Sequence, residues 1–384
     1  MDSQFLGNSR LIEVLALVKY LCKTSSGVEL SASAHLKVHE NVPHRNIRPS
    51  LIFFHNPPQS WSMFSAVKSS AIGLIDRLQS EKVSVKESFV ITGFWRSGTT
   101  WLQKVIARVV QGKTVFEPLH CKVAGYPDLA DAYLCPAATD RIYLNSYMPY
   151  CTNFDKCEAL WEFVEATMKG RVYAYWLQRG RSIKLTSPTC AVVKFVRGQL
   201  MQPAFQKGVY PVLIHVRRDP RAVIASLLRK NWGWWMQDIS LKDQLLRPTD
   251  GRTDYFNRWT REIEKADKAD FLTRAATYWA LTERFVEDRG LPQSGGTSVC
   301  YEKICLQREK YLNRTLADIL PNSKRFGSRH LHGDSPTTQN GRESTTEARV
   351  YGWENELSPE QIEQVESIAH RFNLQYSLVD RVKK

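Results

Sequence analysis

The residues best suited to chemistry form a short loop after an apolar run, Gly93-Phe-Trp-Arg-Ser-Gly98-Thr-Thr. Its glycines have the spacing G-x-x-x-x-G of a phosphate-binding loop, in which backbone N–H groups and the start of the next helix hold an anion. Thr99 stands where a nucleotide triphosphatase has the lysine that reaches the β- and γ-phosphates. The cation of this loop is instead Arg96. The pattern predicts a phosphate site at which the chemistry differs from that of a triphosphatase.

A second anion site is predicted in His215-Val-Arg-Arg-Asp-Pro-Arg-Ala-Val-Ile-Ala-Ser226. A buried strand should end just before Arg218, and a helix should begin after the proline and carry Ser226. One cation and one hydroxyl near a strand end can hold a phosphate together. Arg217 and Arg221 could serve the same anion or pair with acidic residues of a helix, and both alternatives are open at this point.

The first loop resembles the 5′-phosphosulfate loop of sulfotransferases that use 3′-phosphoadenylyl sulfate (PAPS). Cytosolic members of that family have lysine at the position of Arg96, whereas tyrosylprotein and many carbohydrate sulfotransferases have arginine there. The resemblance covers roughly residues 89–372. It implies that the 5′-phosphosulfate is bound by Arg96, Ser97, Gly98, Thr99, Thr100 and Trp101.

The second stretch resembles the 3′-phosphate loop of the same family, which implies that Arg218 and Ser226 bind the 3′-phosphate of PAPS. A third stretch, Cys300-Tyr-Glu-Lys-Ile304, is similar to a segment in which a tyrosine contacts adenine. Tyr301 is therefore an adenine candidate, although Lys303 replaces the usual aspartate. Trp101 could stack on the base, and packing in the core is the alternative for either aromatic residue.

The general base is predicted from the same resemblance, because sulfuryl transfer to oxygen needs a group that removes the acceptor's proton. Cytosolic sulfotransferases use a strand histidine, and Val196 occupies that place here. Glu117 lies 21 residues after Arg96, which is about the separation of the catalytic glutamate in tyrosylprotein and several glycan sulfotransferases. A carboxylate at the C-terminal edge of a parallel sheet would lie beside the anion site. A salt-bridged structural glutamate is the alternative, and His120 is a weaker candidate base.

Lys194 aligns with a strand lysine of the family, which implies that it helps Arg96 to stabilise the departing phosphate. A lysine at a strand end can instead extend its charged group towards solvent. Cationic side chains and backbone amides would supply the electrostatics of the reaction, so no metal is expected.

The fold class predicted is α/β, with a P-loop-like parallel sheet flanked by helices. Short apolar runs typical of strands buried on both faces occur at residues 89–92, 114–117, 191–196, 211–216 and 297–301. Helical segments are predicted at residues 97–110, 159–179, 221–230, 256–289, 308–320 and 359–372. We expect a single sulfotransferase domain over residues 86–384, with a helical N-terminal region, residues 1–85, packed on it.

Two further segments are unusual in composition. Residues 323–348 are rich in Ser, Thr, Gly and His and are predicted to form a flexible surface loop. Asn231-Trp-Gly-Trp-Trp235 places three tryptophans within four positions. These rings could line an acceptor pocket or pack against the N-terminal region.

The chain has 384 residues and a net charge of +14, which fits an electrostatic funnel for an anionic ligand. Nucleic acid is not expected, because zinc-finger spacing, RNP-type motifs and long basic runs are missing. The apolar run at residues 11–22 is too short and too charged to span a bilayer, so we expect no transmembrane anchor and a cytoplasmic location.

The sequence thus predicts sulfuryl transfer from PAPS to a hydroxyl or amine. The acceptor is expected to be a soluble small molecule, with a sugar or glycolipid as the alternative, and no oligomeric state is predicted. The rival functions are a phosphoryl-transferring kinase and a non-catalytic protein that binds polyanions.

Overall fold

The computed structural model describes residues 82–123, 125–133, 147–172, 174–179, 188–229, 240–320, 325–331 and 345–374. The chain divides into two compact units, Met1–Ile75 and Asp76–Lys384, and every described residue belongs to the second. The predicted N-terminal region lies outside the described residues up to residue 81, and its packing on the core stays a prediction. The tryptophan cluster at residues 231–235 also lies outside them, as does most of the predicted loop at 323–348.

One parallel sheet organises the described part of the chain, and its five strands lie in the order β2-β3-β1-β4-β5. The strands are β1 Phe89–Thr92, β2 Lys113–Phe116, β3 Ala191–Phe195, β4 Val212–Arg217 and β5 Thr297–Cys300. β1, β3 and β4 are aliphatic or β-branched along most of their length and almost wholly buried, as expected for strands covered on both faces. The predicted α/β class with a parallel sheet is confirmed.

Helices cover both faces of this sheet. They are α1 Thr99–Val110, α2 Tyr126–Tyr133, α3 Glu158–Lys169, α4 Pro220–Arg229, α5 Leu241–Leu245, α6 Thr253–Phe256, α7 Thr260–Asp267, α8 Phe271–Phe285, α9 Leu291–Ser294, α10 Tyr301–Leu316, α11 Thr346–Tyr351 and α12 Pro359–Arg371. Short 3-10 segments include Tyr175–Gln178 and Gln199–Ala204. In the described ranges, no helix combines the length and the apolar character needed to cross a bilayer.

Alternate residues of the strands pack on opposite faces of the sheet. Ile91 of β1 and Val192 of β3 pack in one cluster with α1 and α10, whereas Val90 and Val193 pack in another with α3. A third cluster joins α4, α8 and α12. The sheet is therefore held rigidly from both sides, and its C-terminal edge is the place where side chains can converge on a ligand.

Three predicted boundaries are wrong for local reasons, and the helix predicted at 308–320 lies instead at Tyr301–Leu316. The helix predicted at 159–179 ends at Lys169, because Gly170 adopts a left-handed φ of 80°. The one predicted at 256–289 is divided, since the side chain of Asp270 accepts the N–H of Thr273 and starts α8 as a new helix. Residues 346–348, predicted as loop, begin α11, whose N-cap is Thr345.

Candidate functional site

The glycine-bounded loop connects β1 to α1, and close contacts define its path. A Cβ atom on Gly93 would lie 2.7 Å from the carbonyl oxygen of Val216, so only glycine lets the loop start this close to β4. Gly98 has a φ of 89°, and a Cβ atom there would lie 2.3 Å from the ring of Tyr301. The loop is therefore held between β4 on one side and the start of α10 on the other.

Several hydrogen-bond donors that have no acceptor in the described part of the chain lie where this loop enters α1. Gly98, the N-cap residue, makes no side-chain capping bond. Within the described ranges, no acceptor is found for the backbone N–H groups of Gly98, Thr99 and Thr100. The hydroxyl of Ser97 is buried and has no partner there either. Orphan donors at the positive end of a helix form an anion site, so this cradle fits a phosphate or phosphosulfate.

The two predicted anion sites meet at Arg96. Its Nε donates to Oγ of Ser226 at 2.9 Å, which connects the loop after β1 to α4. Arg218 donates from Nη1 to the carbonyl oxygen of Arg96 at 2.6 Å and from Nη2 to that of Arg349 at 3.2 Å. The loop residue and the pair predicted to bind the 3′-phosphate thus form one continuous site, where the sequence indicated two separate ones.

Positive charge accumulates at this junction. The pKa of Arg96 is lowered to about 10 by burial and by the neighbouring charges of Arg218 and Arg229. Arg218 forms no ion pair with any described residue, and its Nε is buried without a hydrogen-bond partner. Glu302 lies within electrostatic reach of Arg218, but it accepts the backbone N–H of Asp219, and burial raises its pKa. Clustered buried cations are unfavourable unless an anion joins them.

Tyr301 lies at the first position of α10, directly after β5. Its ring packs on Gly98, and the guanidinium of Arg218 lies 4.6 Å from the ring centroid. Burial raises the pKa of its phenol to about 12. Trp101 is partly buried and packs against the same hydrophobic cluster as Tyr301. Tyr301 therefore contacts the loop directly, whereas Trp101 packs in the cluster that α1 shares with α10.

Glu117 follows β2 directly and has a left-handed backbone, with a φ of 48°. Its side chain is buried and forms two ion pairs, with Oε1 at 2.9 Å from Lys194 Nζ and Oε2 at 3.3 Å from Arg197 Nη1. Oε2 also accepts the backbone N–H of Val196 at 3.3 Å. Both carboxylate oxygens are thus engaged, which is the salt-bridged arrangement that the sequence left as an alternative.

Lys194 connects this carboxylate to the anion site. It is buried on β3, beside Ile91 of β1, and burial lowers its pKa against the opposing effect of Glu117. The charges of Arg197 and Arg96 lower it further. A new negative charge near the loop would therefore attract this ammonium group and lower its electrostatic free energy.

His120 is uncharged at neutral pH, because burial and four cations lower its pKa to about 2. Those cations are, in order of effect, Arg197, Lys122, Arg179 and Lys194. Nδ1 accepts the backbone N–H of Lys122 at 3.1 Å, so the ring proton is carried by Nε2. His120 therefore presents a donor rather than a basic nitrogen.

Two arginines near the second site have structural partners. Arg217 pairs with Glu287 at 2.7 Å, and Arg221 pairs with Asp219 at 2.7 Å and Glu366 at 2.7 Å. The interpretation that these arginines pair with acidic residues is the one the structure supports.

Sequence reasoning missed other members of the site. It did not assign Arg197 as a partner of Glu117, although Arg197 follows β3 closely. It also missed a buried network in which His215 contacts Thr92, Gln202 and Glu283 at 2.9–3.1 Å. His215 and Thr92 are in register on adjacent strands, so the strand pairing would have indicated part of this network.

No model of a protein family and no curated protein sequence matches this chain. Among solved structures it is similar to retinol dehydratase in complex with androsterone and the inactive cofactor PAP, with 14% identity and a TM-score of 0.24 over 80% of this chain and 86% of that chain. Retinol dehydratase in a complex with retinol and PAP gives 12% identity and a TM-score of 0.24 over 80% and 87%. A TM-score this low does not establish a common function.

Proposed function

We propose that this protein is a PAPS-dependent sulfotransferase. The observation that carries the proposal is the junction of Arg96, Ser226 and Arg218 beside the orphan amides and hydroxyl of the loop. A nucleotide with phosphates at two positions would satisfy both ends of this continuous site. Nucleoside triphosphates fit less well, because the loop lacks the lysine that their β- and γ-phosphates require.

The strand order supports a division of the sheet edge between two ligands. β1, β4 and β5 carry the cradle, Arg218 and Tyr301, so the nucleotide would lie along this half. Its 5′-phosphosulfate would be bound by residues 96–101, its 3′-phosphate by Arg218 and Ser226, and its adenine by Tyr301 and Trp101. Arg96 would contact both phosphates.

The other half of the edge carries the groups that handle the acceptor. PAPS, when bound, supplies the sulfuryl group. Glu117 removes the proton from the attacking hydroxyl or amine. Lys194 and Arg96 stabilise the negative charge that develops on the departing phosphate. As this charge grows, Lys194 is attracted away from Oε1 of Glu117, which leaves that oxygen available for the proton.

The acceptor class belongs to the same proposal. A small molecule is the first candidate and a carbohydrate or glycolipid is the second. A cytoplasmic location and the lack of nucleic-acid binding also stay predictions, as does the expectation that the reaction uses no metal.

Equilibrium titration with 3′-phosphoadenosine 5′-phosphate (PAP) tests the proposal, with ATP·Mg²⁺ and heparin as competing ligands. We expect saturable binding of PAP at one site and much weaker binding of ATP. Arg218→Ala should weaken PAP binding by about tenfold or more, since a charged hydrogen-bonding pair is lost. Its effect on adenosine 5′-phosphosulfate, which has no 3′-phosphate, should be smaller.

Arg247→Ala is the matched control, because Arg247 is exposed and pairs only with Asp243 within the described ranges. This variant should bind PAP like the unmodified protein. Preferred binding of ATP with Mg²⁺ turnover would favour a kinase instead. Heparin binding without competition by PAP would favour the polyanion-binding alternative.

A further inference from the structure

A second group of cations lies along the edge strand β2, beyond Glu117. Trp176, in the 3-10 helix Tyr175–Gln178 that packs on β2, is the centre of this group. Lys122 Nζ lies 5.2 Å and the guanidinium carbon of Arg179 5.1 Å from its ring centroid. The ring of His120 packs against it at 4.0 Å. We call these four residues the Trp176 cluster.

The cations of the Trp176 cluster lie on an aromatic ring and have no carboxylate partner among the residues that the structure describes. Lys122 and Arg179 are both exposed, and neither forms an ion pair with any described residue. Cation–π contact positions such groups without neutralising them. Both cations lie on the ring against which His120 packs, so their charges converge there. Together with Arg197 and Lys194, they lower the pKa of His120.

Every polar group that the cluster presents is a donor. Lys122 and Arg179 have no acceptor atoms in their side chains. His120 carries its proton on Nε2, because Nδ1 accepts the N–H of Lys122. Glu117, the nearby carboxylate, has both oxygens engaged by Lys194 and Arg197. A surface of this kind is complementary to an anion.

Phe116 connects the cluster to the proposed transfer site. Its ring lies 5.7 Å from that of Trp176, and Lys194 Nζ lies 4.2 Å from its centroid. Arg179 also approaches it, at 5.8 Å. Since Lys194 is bound to Glu117, the buried ring of Phe116 lies between Glu117 and the Trp176 cluster, and a molecule with its hydroxyl at Glu117 would have the cluster one aromatic ring away.

We infer that the acceptor carries an anionic group, a carboxylate or a sulfate or phosphate ester, and that Lys122 and Arg179 bind it. This inference rests on the proposed function, because it assigns the acceptor's place from the transfer site. It names the acceptor's charge, which the motifs of the chain did not address when they favoured a small molecule over a sugar or glycolipid.

Matched acceptor pairs test the inference in the presence of saturating PAP. One pair is methyl β-glucoside and methyl β-glucuronide, and the other is phenol and 4-hydroxybenzoate. In each pair the second member adds one carboxylate, and the pair that binds distinguishes a sugar from a phenol. In the binding pair, we expect the charged member to bind about tenfold more tightly, as a charged hydrogen bond allows.

The double variant Lys122→Gln/Arg179→Gln should remove this preference and leave PAP affinity within about twofold, which also reports correct folding. Lys207→Gln/Lys310→Gln removes two exposed charges elsewhere and should keep the preference. Equal binding of both members in both pairs, or no binding of any, overturns the inference while PAP binding persists. If the unmodified protein did not bind PAP, that result would instead refute the proposed function.

Discussion

Ser97 carries a buried hydroxyl that finds no hydrogen-bond partner in the described ranges. Such a group costs stability unless a ligand bonds to it. We expect Ser97→Ala to raise or maintain the free energy of unfolding while weakening PAP binding by about tenfold, the effect of a hydrogen bond to a charged group. Urea denaturation and calorimetric titration measure the two quantities.

Ser240 provides the control for this prediction. Its hydroxyl caps α5 by accepting the N–H of Asp243, and it donates to Asp267. Ser240→Ala should therefore lose about 1 kcal/mol of stability, as N-cap serines do, with PAP affinity unchanged. A Ser97→Ala variant that lost stability without any change in PAP affinity would contradict a ligand role for Ser97.

Glu117 offers a second prediction at the scale of single residues. Glu117→Gln keeps the size of the side chain but removes its charge and its capacity to take a proton. We expect turnover to fall by about 100-fold or more, the usual contribution of a general base, with PAP affinity nearly intact. A transfer assay with labelled PAPS measures turnover, and normal turnover would exclude Glu117 from the mechanism.

At the scale of elements, the prediction concerns how tightly the loop between β1 and α1 is held. Gly98→Ala imposes a left-handed backbone on alanine and drives its Cβ into the ring of Tyr301. We expect a loss of about 2–4 kcal/mol, the sum of backbone strain and overpacking, and loss of PAP binding. Thermal denaturation and titration with PAP measure both effects.

Gly208 separates the two causes, because it has a similar φ of 85° but open space around its Cβ position. Gly208→Ala should lose about 1–2 kcal/mol, the backbone term alone. Equal losses at the two positions would mean that the ring of Tyr301 moves aside easily. The loop would then be less tightly held than its contacts indicate.

The bounds of the strands were predicted more accurately than the breaks between helices, because the two features have different signals in the sequence. β1 was predicted at its observed bounds, and the other strands within one residue at each end. In β1, β3 and β4 the signal is the continuous apolar run of a strand buried on both faces, whereas β5 is half-exposed, which its short apolar run did not indicate. The break between α7 and α8 was missed, since the helical periodicity continues through Asp270 and only its capping bond ends the run.

The candidate site was predictable in its members but not in its connections. Glycine spacing and nearby hydroxyls identified the loop locally. The bond from Arg96 to Ser226 joins residues 130 positions apart, and that from Arg218 to Arg349 joins residues 131 apart. Contacts of this range follow from the packing of α4 against α8 and α12 and of α11 against α10, which composition and spacing do not specify.

At the scale of the whole molecule, stability should depend on pH through His120. The unfolded chain binds a proton at this residue near its ordinary pKa of about 6.5, whereas the folded protein does not until about 2. Stability is therefore full above about pH 7 and falls as the pH decreases. Between about pH 7.5 and pH 5 the loss attributable to His120 is about 2 kcal/mol.

Urea denaturation at the two pH values checks this expectation, with His120→Gln as the comparison. The variant should show a pH dependence smaller by about 2 kcal/mol. Asp288 acts at lower pH: burial opposes the change, but hydrogen bonds from Arg284, Tyr255 and Arg258 lower its pKa to about 2. Its contribution is lost only below about pH 4. An unchanged pH dependence in His120→Gln would contradict the assignment.

Left-handed backbone at two non-glycine residues, Arg96 and Glu117, has a consequence for the protein's history. Each holds a conformation that glycine or asparagine would adopt at lower cost. The buried ion pairs of Glu117 with Lys194 and Arg197 outweigh this cost, so selection for heat tolerance alone would retain Glu117 and favour replacement of Arg96. Lineages or laboratory libraries selected only for stability should thus lose Arg96 first, yielding hardier descendants with a weakened anion site.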